Sequence, residues 1–221
     1  MHHETVVSVS RMRALDHHAI ASGVPGRLLM EVAGQGAFQF LSRVRTSDRP
    51  ITILTGRGNN AGDGFVVARY CAAAGMSCQV LAVAPVDSLP DGDTRKNASL
   101  LEAFSVPVAT CDPEALVRCL ADSDIVVDGL LGTGLSGDVR EPYRAVISAL
   151  NGSKRPVLSL DIPSGLCGDS GHVLGSAVHA RWTVTFGARK QGLLIGDGPA
   201  HTGEVTVVPL PFPPDAWTAS P

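Results

Sequence analysis

The sequence predicts an α/β fold in which a mainly parallel central sheet is covered by helices on both faces. Two observations point there. Short, continuously apolar segments alternate with helical patterns along the chain, as buried parallel strands and their crossover helices should. Three of these strand candidates run into glycine-rich loops bearing side-chain oxygens, at residues 59–64, 128–138 and 161–165. In open α/β sheets ligands bind outside the carboxyl ends of the strands. The expected architecture is three-layered, α/β/α and Rossmann-like. A chain of 221 residues suits one large domain, taken as 1–210, followed at 211–221 by a proline-rich tail without a fold of its own.

The elements follow in order. Ser10 is the expected N-cap of a first helix whose Met12, Leu15 and Ala19 share one face and which should end near Gly23 and Pro25. A second helix, 28–45, mixes Leu28, Leu29, Val32, Phe40 and Leu41 with Ala33, Gly34, Gly36 and Ala37. Small residues let another backbone approach closely, which hints at a homodimer. The central strand candidate is 51–54; Phe65, Val66, Ala68 and Tyr70 then resume at helical spacing, so the glycine turn lies between strand and helix. An apolar strand at 78–84 completes a βαβ unit. A polar loop (85–93), a helix (94–104), a short segment (106–109), a helix (113–121) and a strand (124–127) come next. Pro142, favoured in a first turn, opens a helix to Leu150, and strands at 156–160, 182–186 and 205–208 close the sheet.

Composition narrows the function. With 44% hydrophobic and 18% charged residues the chain is globular, and a net charge of -3 offers no footprint for nucleic acid or an anionic membrane. No apolar run is long enough to span a bilayer and the N-terminus lacks the pattern of a signal peptide, so a cytoplasmic location is expected. Cys71, Cys78, Cys111, Cys119 and Cys167 form no C-x-x-C pair and read as buried free thiols.

The chemistry starts in the first glycine turn. Gly56, Gly58 and Ala61 fit G-x-G-x-x-A, a weak signal that a tight strand-to-helix turn explains equally well. A bare turn leaves Asn59, Asn60 and Asp63 unexplained: three oxygen-bearing side chains beside glycines suit a polar ligand or a cation. An acidic residue after a single strand reads first as a turn or helix cap. Three such loops weaken that reading.

These loops resemble the NAD(P)H-hydrate epimerase family. The resemblance rests on G-x-G-N-N-A-G-D-G at 56–64, V-D-G-L-L-G-T-G-L-S-G-D-V-R-E-P at 127–142 and L-D-I-P-S-G at 160–165, with weaker agreement at 12–16, 29–34, 92–97 and 186–192. It implies interconversion of the two C6 epimers of hydrated NADH or NADPH, with Asp161 as the catalytic carboxyl group. Substrate binding falls to Asn59, Asn60, Ala61, Gly62 and Asp63, to Gly132, Thr133, Gly134, Leu135, Ser136, Gly137 and Asp138, and to Asp161, with glycine N–H groups facing the pyrophosphate. A potassium ion would take oxygens from Asn60, Asp128 and Ser164. Lys190 could add charge near a phosphate. Many bacterial members resemble a fusion with a dehydratase, so dehydration is expected of a separate protein; Val32 stands where many relatives carry asparagine. Two other readings stay open. One is an NAD-dependent dehydrogenase, although the strand ending at 82–84 offers no acidic residue to hold a ribose. The other is a non-catalytic nucleotide-binding or interaction module of the same fold.

Overall fold

The computed structural model describes residues 5–218. The elements run β1 (Val6–Val7), α1 (Val9–Ala21), α2 (Gly26–Val44), β2 (Ile51–Thr55), α3 (Asn59–Ala73), β3 (Cys78–Ala82), α4 (Asp93–Leu100), β4 (Val108–Thr110), α5 (Pro113–Asp122) and β5 (Val126–Gly129). They continue with α6 (Tyr143–Gly152), β6 (Val157–Leu160), β7 (Trp182–Phe186), β8 (Arg189–Lys190), α7 (Gly198–Thr202) and β9 (Glu204–Val208). Seven strands form one sheet in the order β4-β3-β2-β5-β6-β7-β9, every neighbouring pair parallel. A separate two-stranded pairing joins β1 to β8, Val6 opposite Arg189 and Val7 opposite Lys190.

The period of two along each strand builds the layers. Ile51, Ile53, Val127, Leu158 and Leu160 pack with α2, α3 and α4 on one face, while Leu54, Val126 and Val157 pack with α5 and α6 on the other. Strands buried on both faces carry no polar side, hence the continuous apolar runs. Local chemistry sets the helix starts. Asp112 accepts the Ala115 N–H at 2.8 Å ahead of Pro113, and Ser8, rather than Ser10, caps α1 by accepting the Arg11 N–H at 3.1 Å. Among the described residues, no helix is long and apolar enough to cross a membrane.

Two expectations are corrected. The small residues of α2 face the molecule's own core: a Cβ on Gly34 would lie 2.5 Å from Val66 of α3, and one on Gly36 would lie 2.4 Å from Val208 of β9. That stripe therefore lends no support to a homodimer. The segment after Leu210 is also packed, as far as Trp217. Phe212 and Ala216 are buried against Met12, Leu15 and Ala19, and Arg11 Nη2 donates to the carbonyls of Ala216 at 3.0 Å and Trp217 at 2.8 Å. Pro213 leads the chain into a 3-10 turn at Pro214–Trp217, and Phe212 and Trp217 supply the apolar area that docks it. Residues 219–221 lie outside the described range.

Candidate functional site

The strand order reverses between β2 and β5, and their carboxyl ends open onto a cavity of about 900 Å³. Its walls come from α1 (Met12, Arg13, Asp16), the first turns of α3 (Asn59, Asn60, Asp63), the loop after β5, Asp161 after β6, and Lys190 of β8. Such a crevice at a switch point is where this class of sheet binds its ligands.

Asp128 ties the loops together. Fully buried in β5, it accepts hydrogen bonds from the Ser159 hydroxyl at 2.8 Å, the Ser164 backbone N–H at 2.9 Å, the Leu130 N–H at 3.3 Å and the Ser164 hydroxyl. Burial pushes its pKa up, and these donors oppose the shift. Ser164 Oγ in turn accepts the Leu131 N–H at 2.8 Å, and Asn60 Nδ2 donates to the Leu131 carbonyl at 3.1 Å. Asn60, Asp128 and Ser164, far apart in sequence, thus share one network. Asn60 Oδ1 is buried and, among the described residues, has no hydrogen-bond partner. An orphaned acceptor costs free energy unless something donates to it or coordinates it.

Asp161 follows β6 in the left-handed region, φ 62°, an uncommon conformation for a residue with a side chain. Its N–H donates to the Val184 carbonyl at 2.8 Å, which anchors the turn to β7. Lys190 Nζ ion-pairs with Asp161 Oδ1, and the Phe186 N–H donates to the same oxygen at 3.2 Å. The ammonium also donates to Thr185 Oγ1 at 3.1 Å and to the Phe186 carbonyl at 2.8 Å, so its three protons are used. Lys190 is 1% exposed. It is a buried partner of Asp161 rather than a solvated lysine on an exposed loop. The available signal was its place a few residues beyond the end of β7.

Two further carboxyl groups face the same charge pair. The pKa of Asp16 is raised to about 6, first by burial and then by Asp161, with Lys190 partly offsetting. Asp63, 8% exposed, is pushed well above the carboxylate range by burial, then by Asp161 and Asp16, again against Lys190. Burial and its two acidic neighbours thus both favour the protonated form of Asp63 on folding. A carboxyl whose pKa rises on folding favours the native state below its unfolded pKa, and that contribution disappears as pH rises through the folded value. Asp63→Asn is thus expected to raise Tm by several degrees at pH 8 and by nothing near pH 4, measured by calorimetry across that range. An equal change at both pH values would contradict the assignment.

Of the residues expected to bind substrate, Asn59, Asn60, Asp63, Gly132, Thr133, Gly134, Leu135, Ser136, Asp138 and Asp161 line the cavity. Ala61, Gly62 and Gly137 do not. Ala61 is fully buried, Gly62 packs against Met30 and Thr94, and both N–H groups donate to the Gly58 carbonyl, at 3.0 and 3.4 Å. Helix α3 uses them internally. Asp16 was missed because its distance along the chain hides it. The usable signal was a carboxylate on the Met12, Asp16, Ile20 stripe of α1.

The chain is 38% identical over 95% of its length to the bifunctional NAD(P)H-hydrate repair enzyme Nnr of Salinibacter ruber, but covers 41% of that protein. It therefore spans about two-fifths of the length of such bifunctional relatives. It is 36% identical to the NAD(P)H-hydrate epimerase of Rhodopirellula baltica, over 94% of this chain and 84% of that one. The crystal structure of yeast ynu0 superposes with a TM-score of 0.78 at 23% identity, covering 92% of this chain and 87% of that one, which shows the same fold. Residues 26–192 match the model for the N-terminus of YjeF-related proteins, and with these relatives the match makes the chain a member of that family.

Proposed function

We propose that the protein is an NAD(P)H-hydrate epimerase, an isomerase that interconverts the R and S epimers at C6 of hydrated NADH or NADPH and acts in the cytoplasm. One observation carries this reading: Asp161, ion-paired to buried Lys190, stands on the wall of a nucleotide-sized cavity at the switch point of the sheet. In the hydrate, the C6 hydroxyl is attached next to ring N1, whose lone pair helps to expel it; return of water from the other face inverts the centre. A carboxyl group assists by giving and taking the proton at that oxygen. Asp161 is assigned that role, and Lys190 fixes the position of its carboxyl group. Among the described residues, the hydrogen bonds that Asp161 accepts go to Oδ1, which leaves Oδ2 for the substrate. The start of α3 and the loop at 132–138 would hold the nucleotide, with the N-terminal dipole of α3 favouring its phosphates.

A potassium ion is proposed at Asn60, Asp128 and Ser164. The fit rests on the orphaned Asn60 Oδ1 among oxygen donors that include a single carboxylate, a set suited to a large monovalent cation and poorly suited to zinc. When bound, it supplies positive charge that offsets Asp128 and tightens the three loops. Because epimerisation leaves the cofactor hydrated, a dehydratase activity must consume the S epimer.

The test is a coupled repair assay. Purified protein should speed conversion of the R hydrate to the S hydrate without an absorbance change, and NADH absorbance should return only when an S-specific dehydratase is added. Persistence of the R epimer at its uncatalysed rate would overturn the proposal, and a direct absorbance change with oxidised cofactor and a reduced substrate would favour a dehydrogenase.

A further inference from the structure

Helix α1 lines the cavity with Met12, Asp16 and Ile20, residues four apart that form one stripe of its surface. A carboxylate on such a stripe is costly to keep away from water. Among the described residues, Asp16 has no hydrogen-bond donor and no ion-pair partner, and the same holds for Asp63, which is only 8% exposed. Both line the cavity beside Asp161. No group of three acidic, histidine or cysteine side chains among the described residues is arranged to hold a metal, so these carboxyl groups do not converge on a shared cation. The charged groups around Asp16 are Asp63 from α3, Asp161 and Lys190 from the sheet end, and Arg13 on its own helix.

Inverting a carbon that loses and regains water needs proton handling at an oxygen on each face of the ring. We propose that Asp16 is a second catalytic carboxyl group of this site, serving the C6 oxygen on one face of the nicotinamide ring while Asp161 serves it on the other. The inference rests on the epimerase function proposed above. In one direction, the Asp16 carboxyl gives its proton to the departing hydroxyl. The C6–O bond breaks with its electrons going to oxygen, water leaves, and the N1 lone pair forms the C6=N1 double bond. Water then adds to the opposite face and loses a proton to the Asp161 carboxylate, while the double-bond electrons return to N1. The proton now on Asp161 returns to Asp16 through water, so no external acid, base or redox partner is consumed. Reverse turnover exchanges the roles. Asp16, with a pKa raised to about 6, is able both to hold and to release a proton near neutral pH. Asp63, more deeply buried, has its pKa pushed up by burial and then by Asp161 and Asp16.

Steady-state rates from pH 5 to 8 test this in the wild type, Asp16→Asn and Asp16→Glu. In the wild type kcat for R-to-S conversion should fall with rising pH above about 6. Asp16→Asn should lower kcat by about a hundredfold, leave KM within a few-fold and abolish that limb, and Asp16→Glu should restore part of the rate. NADPH binding and a cooperative melt in Asp16→Asn establish that the variant is folded. A wild-type kcat that is flat over this range overturns the inference without any variant, as does a folded Asp16→Asn with the wild-type kcat. Either result leaves the epimerase reading standing; only an inactive wild type removes both.

Discussion

Asp161→Asn should lower the rate of R-to-S epimerisation by about a thousandfold or more, within the range that positioned acid–base groups contribute. The structure adds a second consequence. The amide oxygen of Asn can still accept from Lys190 Nζ beside the Phe186 carbonyl and the Thr185 hydroxyl, but the negative charge that balances the ammonium is gone, in a pocket that leaves it 1% exposed. An uncompensated buried charge typically costs ~3–5 kcal/mol. The variant should therefore melt earlier as well as turn over slowly. The double variant Asp161→Asn, Lys190→Met separates the effects: it should recover much of the stability and none of the activity, as read by urea denaturation and single-turnover kinetics. Wild-type turnover in Asp161→Asn would remove this residue from the chemistry altogether.

The second large effect is structural. Asp128→Ala deletes the acceptor for Ser159, Leu130 and both donors of Ser164, at a position that is fully buried. Each buried donor left unsatisfied costs ~1–3 kcal/mol. A combined loss of ~4 kcal/mol would lower Tm by about 10 °C in a chain of this size. Potassium chloride should raise the wild-type Tm relative to sodium chloride, and the difference should vanish in Asp128→Ala, where the proposed ion has lost its carboxylate. A wild-type Tm indifferent to the choice of cation would count against the potassium site.

How far the sequence discloses this molecule follows from which interactions are local. Strand alternation is local, so the parallel sheet and its three glycine loops are legible from residues such as Ile53, Val127 and Leu158. The shared network of Asn60, Asp128 and Ser164 is legible only because motif resemblance supplies what spacing cannot. Where the reading failed, a long-range partner decided the matter. Lys190 looks like a loop lysine until β8 buries it beside Asp161. The glycines of α2 look like a docking face until α3 and β9 fill it, and the prolines after Leu210 look like a loose end until Phe212 meets α1. Ala61 and Gly62 read as ligand contacts because a motif lists consecutive residues, whereas a helix turns successive side chains to different sides.

The pairing of Val6 and Val7 with Arg189 and Lys190 sets an order of assembly. Val6 and Val7 must wait until Arg189 and Lys190 have emerged before their strand partner exists. A nascent polypeptide that has already formed β2, α3 and β3 still lacks both Asp161 and Lys190. The charge pair therefore matures only after β8 has been made, long after the first strands of the sheet can meet.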